Sequence, residues 1–483
     1  MYPAIFAAPE SQSVAALPSA SSIISSTNAF YCVRKPLRKP ACCKLALLPL
    51  FPRPHCGLVQ IRYSMPMIRY GFACKTIGVP GADLSALTLA RATPENMLAV
   101  CRHNLRALGT ILRYCASARI PLMRISSDII PLASHPQNTF DWRAKLHEEF
   151  EALRAVLKKT GIRVSMHPGQ YTVLNSPRQE VVEHAVADLV FHADFLDALG
   201  ADGSARIVLH LGGGYGDRAS ALARLTENLL ALPPHVLTRI SLENDERTFT
   251  IEDALHICKK CGLPAIFDVF HHSLNTPAKG NLAHWLDRAM ESWSPQQGRP
   301  KLHYSQQLAG GKPGMHSRTI AMREFMEFHQ SLGQREVDVM LEVKDKNLSA
   351  EKCIQLTNSG LTRQELTARW ARYKYLVLER DQAAYTGIRG LLKAETPDAK
   401  GFYALVEQAM EKELYGPQAR NAAEHVWGYV DKLASPAEKK RALTGMAELQ
   451  NGVAALPRVK RLLLTLAERH KVEYLLHSIY FYV

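Results

Sequence analysis

The feature that most constrains this chain is an alternation. Eight short β-rich runs recur from residue 68 onward: IRYGFAC (68–74), LMRISS (122–127), RVSMHP (163–168), RIVLHLGG (206–213), RISLEND (239–245), AIFDVF (265–270), KLHYSQ (301–306) and VDVMLEV (337–343). The stretches between them carry apolar residues at helical spacing, as Met97, Leu98, Val100, Leu105, Leu108, Ile111 and Leu112 do within 95–117. Further helices are predicted over 145–159, 179–199, 219–232, 251–261, 281–292 and 318–331. Start signals support several of them, such as Pro94-Glu95 and Thr250 ahead of Ile251-Glu252-Asp253. Strands alternating with helices imply parallel strands joined by crossovers. Eight such units in about 280 residues fit a closed (β/α)8 (TIM) barrel. An open doubly wound sheet would be expected to show G-x-G-x-x-G after the first strand. Here GGGYG (212–216) follows the fourth strand with the wrong spacing, which reads as a tight turn.

Composition adds less. A formal charge of +14 favours a polyanionic partner, yet residues 1–82 hold nine of the 59 Lys and Arg and only one acid, Glu10. More than half of the net charge therefore sits in that stretch, and the body of the chain is mildly basic. No run of eighteen apolar residues occurs, so no membrane span or membrane partner is expected. Ten cysteines without a regular framework indicate free thiols, and Cys258-x-x-Cys261 lacks the second pair a zinc site would need. Residues 1–64 are Ser/Ala-rich, then basic and proline-containing, without periodicity. They are expected to be a disordered or mis-annotated N-terminal extension, with translation beginning at Met65 or Met67, or else an organelle transit peptide. A barrel domain over 65–350 and a smaller all-α domain over 362–483 complete the expected organisation.

The chemistry lies in where the ionisable residues fall. Catalytic groups of such a barrel gather at the carboxyl ends of its strands. His135 falls in the loop after the second strand, His167 ends the third, His210 the fourth and Glu243 the fifth. Asp268 and His271 close the sixth; Lys301 and His303 lie on the seventh, His316 follows it, and Glu342 ends the eighth. A single histidine is ordinarily structural, but seven of eight strands deliver such a group to one rim. A carboxylate in an apolar strand such as IFDVF or VMLEV requires a partner. Imidazole and carboxylate without paired Cys suit Mn²⁺, Zn²⁺ or Fe²⁺, and this many donors exceed the needs of one ion. Two or three divalent ions are expected, manganese foremost. Such a centre suits phosphodiester hydrolysis, and also sugar isomerisation.

The segments MRISSDIIPLASHP, SMHPGQYTVLNSP, VLHLGGGYGD, SLENDERTF, FDVFHHSLN, KLHYSQ and MLEVKDK, spread over 67–346, resemble the ultraviolet damage endonuclease family, relatives of the barrel-type endonuclease IV. The resemblance implies a DNA repair enzyme that nicks immediately 5′ of cyclobutane pyrimidine dimers and 6–4 photoproducts, leaving a 3′-hydroxyl and a 5′-phosphate. It implies as metal ligands His135, His167, His210, Glu243, Asp268, His271, His303, His316 and Glu342, with Glu243 and Lys301 serving catalysis. Lys301 matches a lysine beside the metals, and Gln170 and Tyr171 match a pair that probes damaged DNA. Phe270 stands where some members have histidine, which leaves His271 and His272 as rival ligands. An endonuclease IV-like abasic-site activity and a xylose isomerase-like sugar isomerase or epimerase are the alternatives.

Beyond Lys346 the chain continues in amphipathic helical patterns punctuated by Pro417, Pro436 and Pro457. RYKYLVLERDQAAY, NAAEHVWGYV and VEYLLHSIYFYV resemble the YbgA-like domain of unknown function. Arg363, Arg369, Arg372 and Lys374 read as a solvated helix face or a DNA contact, and His425 and Trp427 as core. A chain ending near Gly360 is expected to keep metal binding and nicking. The expected partner is UV-damaged double-stranded DNA, met by a monomer that hands the nick to downstream excision repair proteins. The expected location is the bacterial cytoplasm at the nucleoid, with organelle import as the alternative.

Overall fold

The structure, a computed structural model, describes residues 67–483; the reading of residues 1–64 therefore lies outside the described residues. β1 (Ile68–Ala73) is followed by α1 (Pro94–Ser117), and β2 (Leu122–Ile125) by α2 (Trp142–Lys145) and α3 (His147–Thr160). β3 (Arg163–Met166) leads into α4 (Gln179–Ala198), and β4 (Arg206–His210) into α5 (Arg218–Leu230) and α6 (Pro234–Leu237). β5 (Ile240–Glu243) precedes α7 (Ile251–Cys261), and β6 (Ala265–Asp268) precedes α8 (Val269–Leu274) and α9 (Leu282–Glu291). β7 (Lys301–Tyr304) and β8 (Val337–Leu341) are followed by α10 (Met322–Ser331) and α11 (Asn347–Thr357). The strands pair in parallel, each with its sequence neighbour and β8 with β1, and so close the barrel.

All eight expected strands form, but each stops short of its predicted end, and local chemistry explains where. β6 stops at Asp268 because its carboxylate caps α8, accepting from the backbone N–H of His271 at 2.7 Å. β4 stops at His210 because the glycine turn follows. Gly212 has φ 92°, and a Cβ there would lie 2.2 Å from Asn175 Oδ1. α10 begins at Met322 rather than 318, since Arg318 lies in a bend and its carbonyl accepts from Asp345 N. α7 begins and ends as its signals promise, with a Thr250–Asp253 capping box and Gly262 in the left-handed C-cap. Cys258 and Cys261 sit at the end of that helix, and all six cysteines among the described residues are free.

Alternate strand residues point into the barrel, which sorts its interior into layers. Asp338, fully buried, lies at the base. It accepts two hydrogen bonds of 2.6 Å from Arg69 and one of 2.7 Å from Arg163. Arg206 and Lys301 are buried in the same layer, Lys301 in register with Asp338. Ala73, Leu122 and Met340 form an apolar layer above, so tight that a Cβ at Gly71 would fall 2.3 Å from Leu122 Cβ. The candidate ligands occupy the next inward positions, at the strands' carboxyl ends. Register alone sets His210 beside Glu243 and Asp268 beside His303.

After the barrel come α12 (Arg363–Leu378), α13 (Gln382–Leu391), α14 (Ala399–Glu411), α15 (Gly416–Trp427), α16 (Pro436–Glu448), α17 (Leu456–Arg469) and α18 (Glu473–Leu476). The packing does not part where the barrel ends. Leu366, Trp370, Tyr373, Phe402 and Tyr403 belong to the same apolar core as Phe325, Leu348 and Cys353, while α15–α17 close around a second core. Two expectations for this region are corrected. Arg369 and Arg372 are neither solvated nor open to DNA, because Arg369 is buried and Arg372 only 12% exposed, both paired with Glu351 of α11. Lys374 lies over the rings of Tyr375 and Tyr474, and only Arg363 of the four is exposed. Trp427 is core as expected, but His425 is on the surface. No helix among the described residues is long and apolar enough to cross a membrane.

Candidate metal centre

Glu243, at the end of β5 and almost fully buried, is the hub of the rim. Its Oε2 lies 3.0 Å from His167 Nε2 and 3.6 Å from His210 Nε2. Its Oε1 lies 2.5 Å from His303 Nδ1, which is also 3.0 Å from Glu342 Oε1. Three groups of donor atoms, each within 4.8 Å, result: His167 with His210 and Glu243, Glu243 with His303 and Glu342, and Glu243 with Asp268 and His271. Seven of the nine expected ligands are thus brought together. His316 is outside these groups, though its ring stands 5.9 Å from that of His271. His135 is half-buried in the loop after β2, where Nδ1 accepts from Gln137 N at 3.2 Å, and joins none of them. Of the rivals at 271 and 272, His271 faces the cluster; His272 turns to Phe267, 4.9 Å between ring centres.

Backbone carbonyls orient the rings. Nδ1 of His167, His271 and His316 meets the carbonyls of Pro168, Asn244 and Glu342 at 3.0, 3.0 and 2.6 Å. That leaves Nε2 of each ring as the atom available to a metal, the arrangement expected of metal-binding histidines, with that of His167 now against Glu243. Two further residues, missed from sequence, hold the cluster in place. Asn244 is fully buried and exchanges two hydrogen bonds with the backbone of Asp268, 2.9 and 3.0 Å, as well as orienting His271. Arg124 of β2 donates to Glu342 Oε1. Both sit inside motifs, LEND and MRISS, where only their polarity at inward positions signals them.

Burial penalises charge throughout this cluster, and neighbours decide the outcome. Histidines 303 and 210 hold the Glu243 carboxyl well below its usual range against that penalty. Asp268 goes the other way, pushed up by burial and by Glu243 and Glu342. His271, despite burial, is lifted to about 9 by Asp268 and Glu243. Three buried atoms, His210 Nδ1, Asp268 Oδ2 and His303 Nε2, have no hydrogen-bond partner. Crowded imidazole and carboxylate donors with atoms left over fit divalent cations.

Lys301 lies one inward position below His303, fully buried, with Nζ unpartnered. Burial and the guanidiniums of Arg163, Arg124 and Arg206 push its ammonium well down. It is under the cluster, not at the open mouth. Gln170 and Tyr171 stand on the turn after β3, both exposed, Tyr171 at 83% the most exposed large apolar side chain among the described residues. On the other side a cavity of about 210 Å³ opens beside Glu342, lined by Arg124, His316, Val343, Lys344 and Lys346.

With this geometry in view, the comparisons with known proteins are decisive. The model of the UV-endonuclease UvdE family matches residues 56–367. The chain belongs to that family. The UV DNA damage endonuclease of Clostridium perfringens is 35% identical over 323 residues, covering 65% of this chain and 77% of the relative. That of Bacillus pumilus is 32% identical over 297 residues, covering 59% and 93%. The crystal structure of SacUVDE, 36% identical, superposes with a TM-score of 0.57 over 60% of this chain and 97% of its own. Residues 374–483 match a protein family of unknown function, DUF1722. The UvdE member described here thus carries its barrel and its helical C-terminal region in one chain.

Proposed function

We propose that this chain is a metal-dependent endonuclease that cuts the DNA backbone immediately 5′ of a UV photoproduct, leaving a 3′-hydroxyl and a 5′-phosphate. The observation that carries this reading is the Glu243 cluster, buried, crowded and incompletely hydrogen-bonded, on the rim of a UvdE-family barrel. His167, His210, Glu243, Asp268, His271, His303 and Glu342 hold two or three divalent ions, manganese foremost, and His135 and His316 complete the set. Such ions supply water activation near neutral pH and neutralise charge on a phosphodiester.

The chain's own residues do the rest. Glu243 ties the three donor groups together, so its charge is the one the whole centre shares. Asn244 and Arg124 hold Asp268, His271 and Glu342 in register with it. Lys301 contributes from beneath, and its depth directs any electrostatic effect to the cluster rather than to a phosphate at the mouth. Gln170 and Tyr171 enter the duplex where a photodimer has weakened stacking, since extruding a damaged base costs less than extruding an intact one.

The test is direct. Purified protein with Mn²⁺ is incubated with an end-labelled duplex holding a single thymine dimer, and the cut is mapped. One nick at the 5′ side of the dimer, lost on chelation and restored by metal, is expected. Cutting elsewhere, or equal cutting of an abasic-site duplex and none at the dimer, would overturn the reading in favour of the endonuclease IV-like alternative.

A further inference from the structure

The helices after the barrel reach its DNA-facing rim through one buried polar network. Glu351 on α11 is only 3% exposed. Its carboxylate accepts from Tyr114 Oη at 2.7 Å, from Arg372 Nη1 at 3.2 Å and from Arg369 Nη1. Asn347, the fully buried first residue of α11, accepts from Ile77 N at 2.7 Å and donates to Ile77 O at 3.1 Å and to Tyr114 Oη at 2.8 Å. Arg372 also donates to Ile77 O at 3.1 Å and to His477 O at 3.2 Å. A single α12 guanidinium thus touches α11, the loop after β1 and the last segment of the chain.

Both loops it secures rise beside the metal centre. The β1–α1 loop starts at Cys74, whose N–H donates to the carbonyl of Arg124, the partner of Glu342. The β8–α11 loop runs from Glu342 to Lys346, directly before Asn347. It carries Lys344 and Lys346 to the cavity beside Glu342, and Arg318 lines the adjoining one of about 250 Å³. Lys346 holds φ 53° and ψ −113°, a positive-φ backbone outside the left-handed helical well that a non-glycine residue keeps only where its surroundings over-determine it. With Arg124 this cavity presents three cations to one carboxylate, the complement of a backbone phosphate.

We propose that the C-terminal helices are a working part of the nuclease: Arg372, through Glu351 and Asn347, fixes the β1–α1 and β8–α11 loops and so holds Lys344 and Lys346 on a DNA phosphate beside the metal centre. The inference rests on the nuclease reading above. Arg372 touches no substrate and is a positioning residue; Lys344 and Lys346 make the contact.

The experiment uses the full chain with Arg372→Ala, Arg372→Lys, Lys346→Ala and the Arg372→Ala/Lys346→Ala pair. With Arg372→Ala, KM for a dimer-containing duplex should rise about 10-fold while kcat and metal content stay within about twofold. Arg372→Lys should recover part of the loss. The pair should cost no more than the worse single variant, because both remove one contact. Amide exchange over residues 75–80 and 344–350 should quicken in Arg372→Ala, and the salt dependence of binding to plain duplex should flatten as it does in Lys346→Ala. Unchanged loop exchange, a fall in kcat at constant KM, or multiplying effects in the pair would overturn the proposal. Should Arg372→Ala fail to fold, Arg372→Lys and Lys346→Ala carry the same comparison. Exchange and plain-duplex binding do not require nicking, so a failure of the nuclease reading is seen separately in the wild-type chain.

Discussion

Ending the chain at Gly360 should unfold it rather than trim it, contrary to what its sequence suggests. The cut removes Arg369 and Arg372 and leaves Glu351 with Tyr114 as its one side-chain donor. Stripping the partners from such a charge costs up to about 3–5 kcal/mol, the full cost applying where water stays excluded. The cut also uncovers apolar side chains of α10 and α11 that share a core with Trp370, Phe402 and Tyr403. Exposing even two of them costs about 1.5–3 kcal/mol each. The combined loss, up to roughly 6–11 kcal/mol, rivals the 5–15 kcal/mol that holds an ordinary domain together. A relative spanned over 97% of its length by 60% of this chain implies that family barrels close without all of it; the charge at Glu351 is what ties this barrel to its helices. The assay compares soluble yield, thermal unfolding and bound metal of residues 1–360 with the full chain. Aggregation or a non-cooperative melt is expected, partly relieved by Glu351→Leu. A soluble 1–360 chain that melts cooperatively within a few degrees of the full chain would refute the reasoning.

Other outcomes follow from the same contacts. Glu243→Gln keeps shape but removes the shared charge, so nicking should fall by orders of magnitude while binding to a dimer-containing duplex largely survives, read by gel shift and cleavage together. Gln170→Ala with Tyr171→Ala should lower the preference for damaged over intact duplex and leave metal content unchanged; loss of metal would make the pair structural. Asp338→Asn should lower stability by about 3–5 kcal/mol, seen as an earlier denaturant midpoint, because it breaks a buried ion-pair system. Asp268→Asn should do the reverse, raising the midpoint of the metal-free protein while weakening Mn²⁺ binding in calorimetry.

The barrel was legible because each strand is a short apolar run bounded by turn residues, and strand ends are where ligands collect. Seven of the nine expected ligands meet at the rim where that rule puts them. The errors share a cause: polar side chains bonded to backbone or to distant partners. Asp268 reads as a strand residue until its capping of α8 is seen. Asn244 and Arg124 carry no motif of their own, since their work is to bond a carbonyl, an amide or a ligand across the barrel. Arg369 and Arg372, at helical spacing with other charges, have the pattern of a solvated face. Only Glu351, 18 and 21 residues away, reveals them as buried.

Two fully buried aspartates in this barrel show what separates scaffold from site. Asp338 meets a complete donor set: two bonds from Arg69 and one from Arg163, with Lys301 alongside. Its ionised form is what the base of the barrel is built around, so removing the charge strands two arginines. Asp268 has one oxygen engaged as a helix cap and the other, Oδ2, without a hydrogen bond, with His271 Nδ1 3.8 Å away. Burial raises its pKa, and Glu243 and Glu342 add to that against the opposing pull of His271. Asparagine can cap the helix as well as aspartate does, and it brings no charge. The opposite signs expected for the two substitutions follow from hydrogen-bond completeness, not from depth, which is the same for both. An ionisable residue held in the interior without a full set of hydrogen bonds is a cost to the metal-free fold. At this rim, where a shared carboxylate and several unengaged donor atoms converge, the donor set fits divalent cations.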